Sequence, residues 1–310
     1  MYESNIITLQ IPNFFTEGRN RVYVLRTEPI TLIDSGIATD KAYGELVAQL
    51  ASHGLRTADI KRVVLTHKHI DHVGNAWRIQ QDSGAEVFIH ESELEAVVEV
   101  DPAGEKFAEL VKLKLEQWDV PDDAQPENTS FGKWNIESVE ATPLQDGQEL
   151  AMEFGPLQVL HTPGHTAGHI CLLHGEILFS GDHVLPDISP NVGGGDMRRG
   201  GLLKGFMTSL ERTIELSPQI KRVLPGHGDP FENLSGRCEE LLFHHRERLE
   251  KTQAILNNGK DLSAYEVAVQ LFGELKDFHV VLGCAEAQAH LEYLVDEGAA
   301  SLNSDKYCLS

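Results

Sequence analysis

His67, His69, Asp71 and His72 fall within six consecutive positions of Thr66-His67-Lys68-His69-Ile70-Asp71-His72, directly after the apolar run Arg62-Val63-Val64-Leu65. Three imidazoles and a carboxylate at that density all present lone pairs that metals prefer. Left empty and protonated, the imidazoles would repel one another. A metal site is the chemistry this stretch predicts.

Three further candidates stand at the ends of apolar runs and beside glycine. They are His165 in His161-Thr162-Pro163-Gly164-His165-Thr166, Asp182 in Leu178-Phe179-Ser180-Gly181-Asp182, and His227 in Val223-Leu224-Pro225-Gly226-His227-Gly228. Strand ends gathered on one sheet edge are where sites assemble in layered α/β proteins. Each residue alone is an ordinary loop histidine or aspartate; four such strand ends in one chain point to one site.

The elements that would position them can be read from periodicity. Short β-branched runs at 6–11, 21–26 and 30–34, separated by Pro12, Gly18 and Pro29, predict opening strands. Residues 39–53 put Tyr43, Leu46, Val47 and Leu50 on one helical face, with Thr39 or Asp40 as cap and Gly54 as stop. A strand over 61–66, a helix over 73–83 and a strand over 85–90 follow. A helical insertion over 91–118 is expected above the site, where Phe107 and Trp118 either line an acyl pocket or pack in the core. Strands are predicted over 135–141, 148–154, 157–161, 169–173, 177–180 and 221–224, with helices over 202–216 and about 235–257. Beyond Gly259 helices over 263–272 and 285–296 and a hairpin over 300–309 give the order helix, helix, wing. The expected domains are 1–258 and 259–310.

A chain of 310 residues, 41% hydrophobic, is long enough for a large core with a small appendage. Its net charge of −22 disfavours a general nucleic-acid binder, because such proteins gain affinity by neutralising phosphates. Residues 261–310 carry two lysines against nine carboxylates, a net of −7, so packing or dimerisation, including a homodimer, suits them better than DNA binding. Cys171, Cys238, Cys284 and Cys308 are far apart and form neither a CxxC pair nor a disulfide framework. Glu3 stands where an export signal would be basic, and no long apolar stretch follows; the expectation is a cytoplasmic protein without a membrane span.

Together the seven residues resemble the metallo-β-lactamase superfamily, whose His-x-His-x-Asp-His loop, later His, bridging Asp and last His match His67, His69, Asp71, His72, His165, Asp182 and His227 over roughly residues 5–256. The resemblance implies an α/β, four-layered αβ/βα sandwich, here with a small C-terminal winged-helix domain. It also implies that His67, His69 and His165 hold one metal, that Asp71, His72 and His227 hold a second, and that Asp182 bridges them. Asp34, in the shared Leu32-Ile33-Asp34-Ser35-Gly36 turn, is expected to orient ligands by hydrogen bonds. The chemistry of the donors agrees: His and Asp without Cys suit two borderline divalent ions, zinc by default, with iron and manganese as alternatives. A hydroxide shared by two cations would attack a carbonyl or phosphoryl centre, and Asp71 could carry the proton to the leaving group.

His69 stands where the flavodiiron branch has Glu, which argues against an oxygen-reducing diiron site. The bridging Asp182 argues against a true β-lactamase. What remains is hydrolysis of a small thioester, ester or lactone, with a metal-dependent endoribonuclease or phosphodiesterase acting on single-stranded RNA as the alternative. Residues 264–268 and 289–298 resemble the winged-helix appendage of a hydrolase branch that includes endoribonuclease-like proteins, which keeps that alternative open. The glycine-rich stretch 187–200 is expected at the rim, where backbone N–H groups with Arg198 and Arg199 would meet a substrate carboxylate or phosphate. Its competing reading is a surface loop whose arginines pair with the protein's own carboxylates.

Overall fold

The computed structural model describes residues 3–14, 18–129, 133–194, 196–197, 199–257 and 259–310. Its first half holds β1 (Ile6–Ile11), β2 (Asn20–Leu25), β3 (Thr31–Ile33), α1 (Asp40–Ser52), β4 (Arg62–Val64), α2 (Ile70–Val73), α3 (Ala76–Ser83) and β5 (Glu86–His90). Two helices follow, α4 (Leu94–Val98) and α5 (Glu105–Gln117), before β6 (Ala141–Leu144). The second half runs β7 (Glu149–Leu150), β8 (Leu157–His161), β9 (Ile170–His174), β10 (Ile177–Gly181), α6 (Leu202–Leu216), β11 (Arg222–Pro225) and α7 (Leu234–Leu256). Last come α8 (Ala264–Phe272), α9 (Phe278–Asp296), β12 (Ala300–Asn303) and β13 (Lys306–Leu309).

Among the described residues β1 to β6 form one sheet in chain order, antiparallel over its first three strands and parallel from β3 onward. β11-β10-β9-β8-β7 form a second sheet, in which only the β10/β11 pair is parallel. Side-chain alternation explains how the sheets stack, because successive residues of a strand face opposite sides. On β2, Val22 and Val24 pack outward under α1, whereas Tyr23 and Leu25 face the second sheet. On β9, Ile170 and Leu172 face the first sheet, whereas Cys171 and Leu173 join the core with α5, α6, α7 and the C-terminal helices. Helices, sheet, sheet, helices is the four-layered order, and the central apolar layer includes Tyr23 edge-on to Phe179 at 5.3 Å.

Several boundaries differ from the expected ones. The strand foreseen over 135–141 forms at β6 instead, because the segment before it spends its N–H groups elsewhere: Trp134 N on Pro102 O (2.7 Å) and Val139 N on Val97 O (3.0 Å). The strand foreseen over 148–154 shrinks to β7, since Glu153 N leaves the ladder for Glu28 O at 2.9 Å. α9 begins at Phe278 rather than 285, and Leu275 Cδ1 packs 2.8 Å from where a Cβ on Gly283 would stand. The start of the insertion touches the loop that carries His165, where Glu93 accepts Gly168 N at 2.9 Å, whereas α5 packs against the C-terminal helices. Trp118 is buried, and its indole donates to Gln288 on α9; Phe107 lies beside Phe278, so neither lines an acyl pocket. No helix of the described residues is long and apolar enough to cross a membrane.

Candidate metal centre

Each candidate ligand leaves the end of a strand. β4 runs into Leu65 and Thr66, and His67 follows; α2 then turns Asp71 and His72 back toward the same point. His165 sits in the loop from β8 to β9, Asp182 directly after β10, and His227 two residues after β11. The halves are joined beside these residues: Ile170 N donates to Thr66 O (2.8 Å), Arg21 N to Gly226 O (2.7 Å), and Asn20 bridges His227. The Tyr23 hydroxyl donates to Pro225 O at 2.6 Å.

All seven residues converge. His67 Nε2 and His165 Nε2 each lie 3.0 Å from His69 Nδ1. Asp71 Oδ2 lies 3.3 Å from His227 Nε2 and 3.7 Å from His72 Nε2. Asp182 Oδ2 stands 3.5 Å from both His72 Nε2 and His227 Nε2 and 3.8 Å from His165 Nε2, which puts one oxygen between the two groups. Ligands about 2.0–2.2 Å from a common ion are separated by roughly 3–3.6 Å, so these spacings fit divalent cations. Buried atoms without a partner agree: His72 Nε2 and Asp182 Oδ1 face the cluster with no hydrogen bond, where burial makes that costly.

The hydrogen bonds behind the ligands select their tautomers. Asp34 Oδ2 accepts from His72 Nδ1 at 2.8 Å, which leaves Nε2 bare toward the centre. Thr66 Oγ1 meets His67 Nδ1 at 3.1 Å and donates to Asp34, leaving His67 Nε2 bare. His165 Nδ1 donates to Asn191 O at 2.8 Å, with the same effect. His169 Nε2 accepts the Asp182 N–H at 3.0 Å and so holds the backbone of that aspartate.

Electrostatics prepare the nitrogens as ligands. Burial, reinforced by neighbouring imidazoles, holds His67 and His69 well below the usual histidine range, and burial also lowers His165. Burial opposes charging His72 as well, but the carboxylates of Asp182, Asp71 and Asp34 outweigh it and raise its pKa. Burial pushes Asp182 upward, but His227 and His72 outweigh it and hold the carboxyl ionised. In the bare protein these protons balance buried carboxylates, and cations can take that place.

Some supporting residues carry no local signal in the sequence. Asn13 and Asn20 each donate a side-chain amide to Asp71 Oδ2 at 3.0 Å. Lys68, between two ligands, pairs with Asp196 at 2.6 Å, and Asp196 also accepts Ala167 N at 2.9 Å. At the rim, Gly194 N donates to Asn191 Oδ1 at 2.8 Å, so this N–H is committed within the loop. Arg199 is exposed, and Arg198 lies outside the described residues.

A fourth group of metal-capable atoms, His245, Glu286 and His290, is tied together by hydrogen bonds, with His245 Nε2 buried and left without a partner among the described residues. His290 Nδ1 donates to Glu286 O (2.7 Å), His245 Nδ1 to His290 Nε2 (3.2 Å), and the Glu286 carboxylate pairs with Arg248.

A family model described as "Metallo-beta-lactamase superfamily" matches residues 16–227. The "Probable metallo-hydrolase YqjP" of Bacillus subtilis is 30% identical over 316 residues, covering 96% of this chain and 95% of that one. The human "Acyl-coenzyme A thioesterase MBLAC2" is 29% identical over 221 residues, 67% of each chain. The crystal structure of a metallo-beta-lactamase family protein from Thermus thermophilus superposes with a TM-score of 0.83 at 31% identity, covering 99% of both chains. With the family model spanning both halves of the sandwich and a metallo-hydrolase relative spanning nearly the whole chain, the protein belongs to the metallo-beta-lactamase superfamily and is a hydrolase of it.

Proposed function

We propose that the protein hydrolyses a small acyl thioester, with esters and lactones in the same class, at a centre for two divalent ions, zinc by default. The observation that carries a two-ion centre is the position of Asp182 Oδ2, 3.5–3.8 Å from imidazole nitrogens of both ligand groups. His67, His69 and His165 would hold one ion, Asp71, His72 and His227 the other, and Asp182 both. When bound, such ions supply an acidified water and a Lewis acid for the carbonyl oxygen.

The chain's own residues do the rest. Asp34 and Thr66 hold His72 and His67 in the tautomers that expose Nε2. Asn13 and Asn20 occupy Asp71 Oδ2, which leaves Oδ1 as the oxygen to carry a proton to the departing thiolate. The net charge of −22 and the likeness to a relative named as an acyl-coenzyme A thioesterase support an acyl substrate over a polyanion.

The test is direct. Protein purified without chelator should contain two equivalents of metal by elemental analysis and hydrolyse members of an acyl-coenzyme A panel. Asp182→Ala and Asp71→Ala should lose that activity. Cleavage of a single-stranded RNA oligomer with no thioester turnover would overturn the substrate class, and metal uptake below one equivalent would overturn the two-ion centre.

A further inference from the structure

Glu286 lies on the C-terminal helix α9, 7% exposed, yet it keeps a carboxylate. Burying such a group is unfavourable unless every lone pair finds a donor. One oxygen pairs with Arg248 of α7. The other, Oε2, accepts the Asn191 side-chain amide at 2.8 Å, and the Val192 backbone N–H also donates to this carboxylate.

Asn191 faces both ways. Its Oδ1 accepts Gly194 N–H (2.8 Å), so the amide can present only Nδ2 to Glu286, and its main-chain carbonyl accepts His165 Nδ1–H (2.8 Å). An imidazole fixed through Nδ1 has one direction left for its Nε2 lone pair. That direction is His69 Nδ1 at 3.0 Å and Asp182 Oδ2 at 3.8 Å.

The loop is built for close approach to α9. A Cβ on Gly194 would stand 2.3 Å from Asn191 Oδ1 and 2.8 Å from Leu282 Cδ2, and one on Gly193 would stand 3.0 Å from Ala285 O. Lys68, from the ligand loop itself, pins the far end through Asp196. Residues 191–194 and Asp196 are therefore held between the ligand loop and the C-terminal helix.

We infer that Glu286 is a positioning residue for the metal centre: through the Asn191 side chain and the Val192 N–H it fixes the peptide whose Asn191 carbonyl orients His165, so α9 takes part in setting metal affinity. This rests on the reading of His165 as a ligand. A salt bridge that merely joins α7 to α9 would stabilise the fold without touching metal affinity, and the two roles separate experimentally.

The experiment uses the full chain, titrated with Zn(II) against a competing chelator and with Co(II) followed by visible absorption. Glu286→Ala should weaken one of the two equivalents about tenfold to a hundredfold, the range expected for partners behind metal ligands, and should change the Co(II) spectrum. Glu286→Gln, which still accepts from Asn191, should recover most of the affinity. Asn191→Ala, which keeps the carbonyl and the Val192 N–H but removes the side-chain bond to Glu286, should weaken metal binding in the same direction and serves if Glu286→Ala does not fold. Leu294→Ala, buried on the same helix and outside this chain of bonds, should lower the melting temperature without altering metal affinity. Wild-type affinity in both Glu286→Ala and Asn191→Ala, or equal weakening in Leu294→Ala, overturns the inference. A wild-type protein that takes up no metal overturns instead the reading of the centre on which it rests.

Discussion

Asp34 carries a backbone cost that its side chain explains. Its φ of +60° lies in the left-handed region, which a non-glycine residue adopts at some expense, Asp and Asn least. There its Oδ1 accepts Thr66 N at 2.8 Å while Oδ2 accepts His72 Nδ1 at 2.8 Å. Both oxygens are needed as acceptors, and an asparagine offers only one. In Asp34→Asn the amide would either oppose the Thr66 N–H or force the His72 proton onto Nε2, the atom aimed at the centre. The expected outcome is an intact fold with metal affinity about 10- to 100-fold weaker. Chelator competition and circular dichroism measure the two parts; unchanged affinity would show that the tautomer of His72 is not set by Asp34.

At the scale of elements, the site is a set of strand ends, and the spaces between them decide whether it can form. Gly226 joins β11 to His227, and a Cβ there would fall 2.2 Å from Asp182 Oδ1 and 2.8 Å from His72 Cε1. Only a residue without a side chain lets the two ends meet. Gly226→Ala should therefore fold with its sheets intact but retain less than two equivalents of metal; two tightly bound ions in this variant would refute that picture. Local order of this kind is what the sequence makes legible. His67 to His72, and the glycines beside His165, Asp182 and His227, are short-range patterns, as are the period-3.6 helix at 202–216 and the Thr39 cap of α1. Asn20 is not legible, because its bond to Asp71 spans 51 positions and nothing nearby marks it. Asn191 likewise reads as a loop residue until α9 is packed against it. The bounds of β6 and β7 escape sequence reading for the same reason: the ladder they join is settled by which distant carbonyl claims each N–H, not by the propensity of the segment.

The whole molecule has three apolar layers and, across them, histidines kept neutral by burial. His245 on α7 is the clearest outside the candidate centre: burial first, then the neighbouring His290 and His244, push its pKa down to about 2. It is fully enclosed, stacked with His290 at 5.3 Å and edge-on to Phe206 at the same distance. In the unfolded chain an ordinary histidine titrates at about 6.5. The folded pKa is lower than the unfolded one, so the unfolded state binds the extra proton throughout the window between them. Stability contributed by keeping His245 neutral is present in full above pH ~6.5 and is lost progressively as pH falls below it, at a limit of about 1.4 kcal/mol per pH unit for one group. Loss of metal on acidification would steepen the same profile, but it is common to wild type and variant and cancels in their difference. Urea unfolding at several pH values between about 7.5 and 5 should show wild type losing stability faster than His245→Gln, the gap between their slopes approaching that limit at the acid end. Parallel profiles would mean that the folded protein takes up a proton at His245, for which the packing of α6, α7 and α9 would have to open.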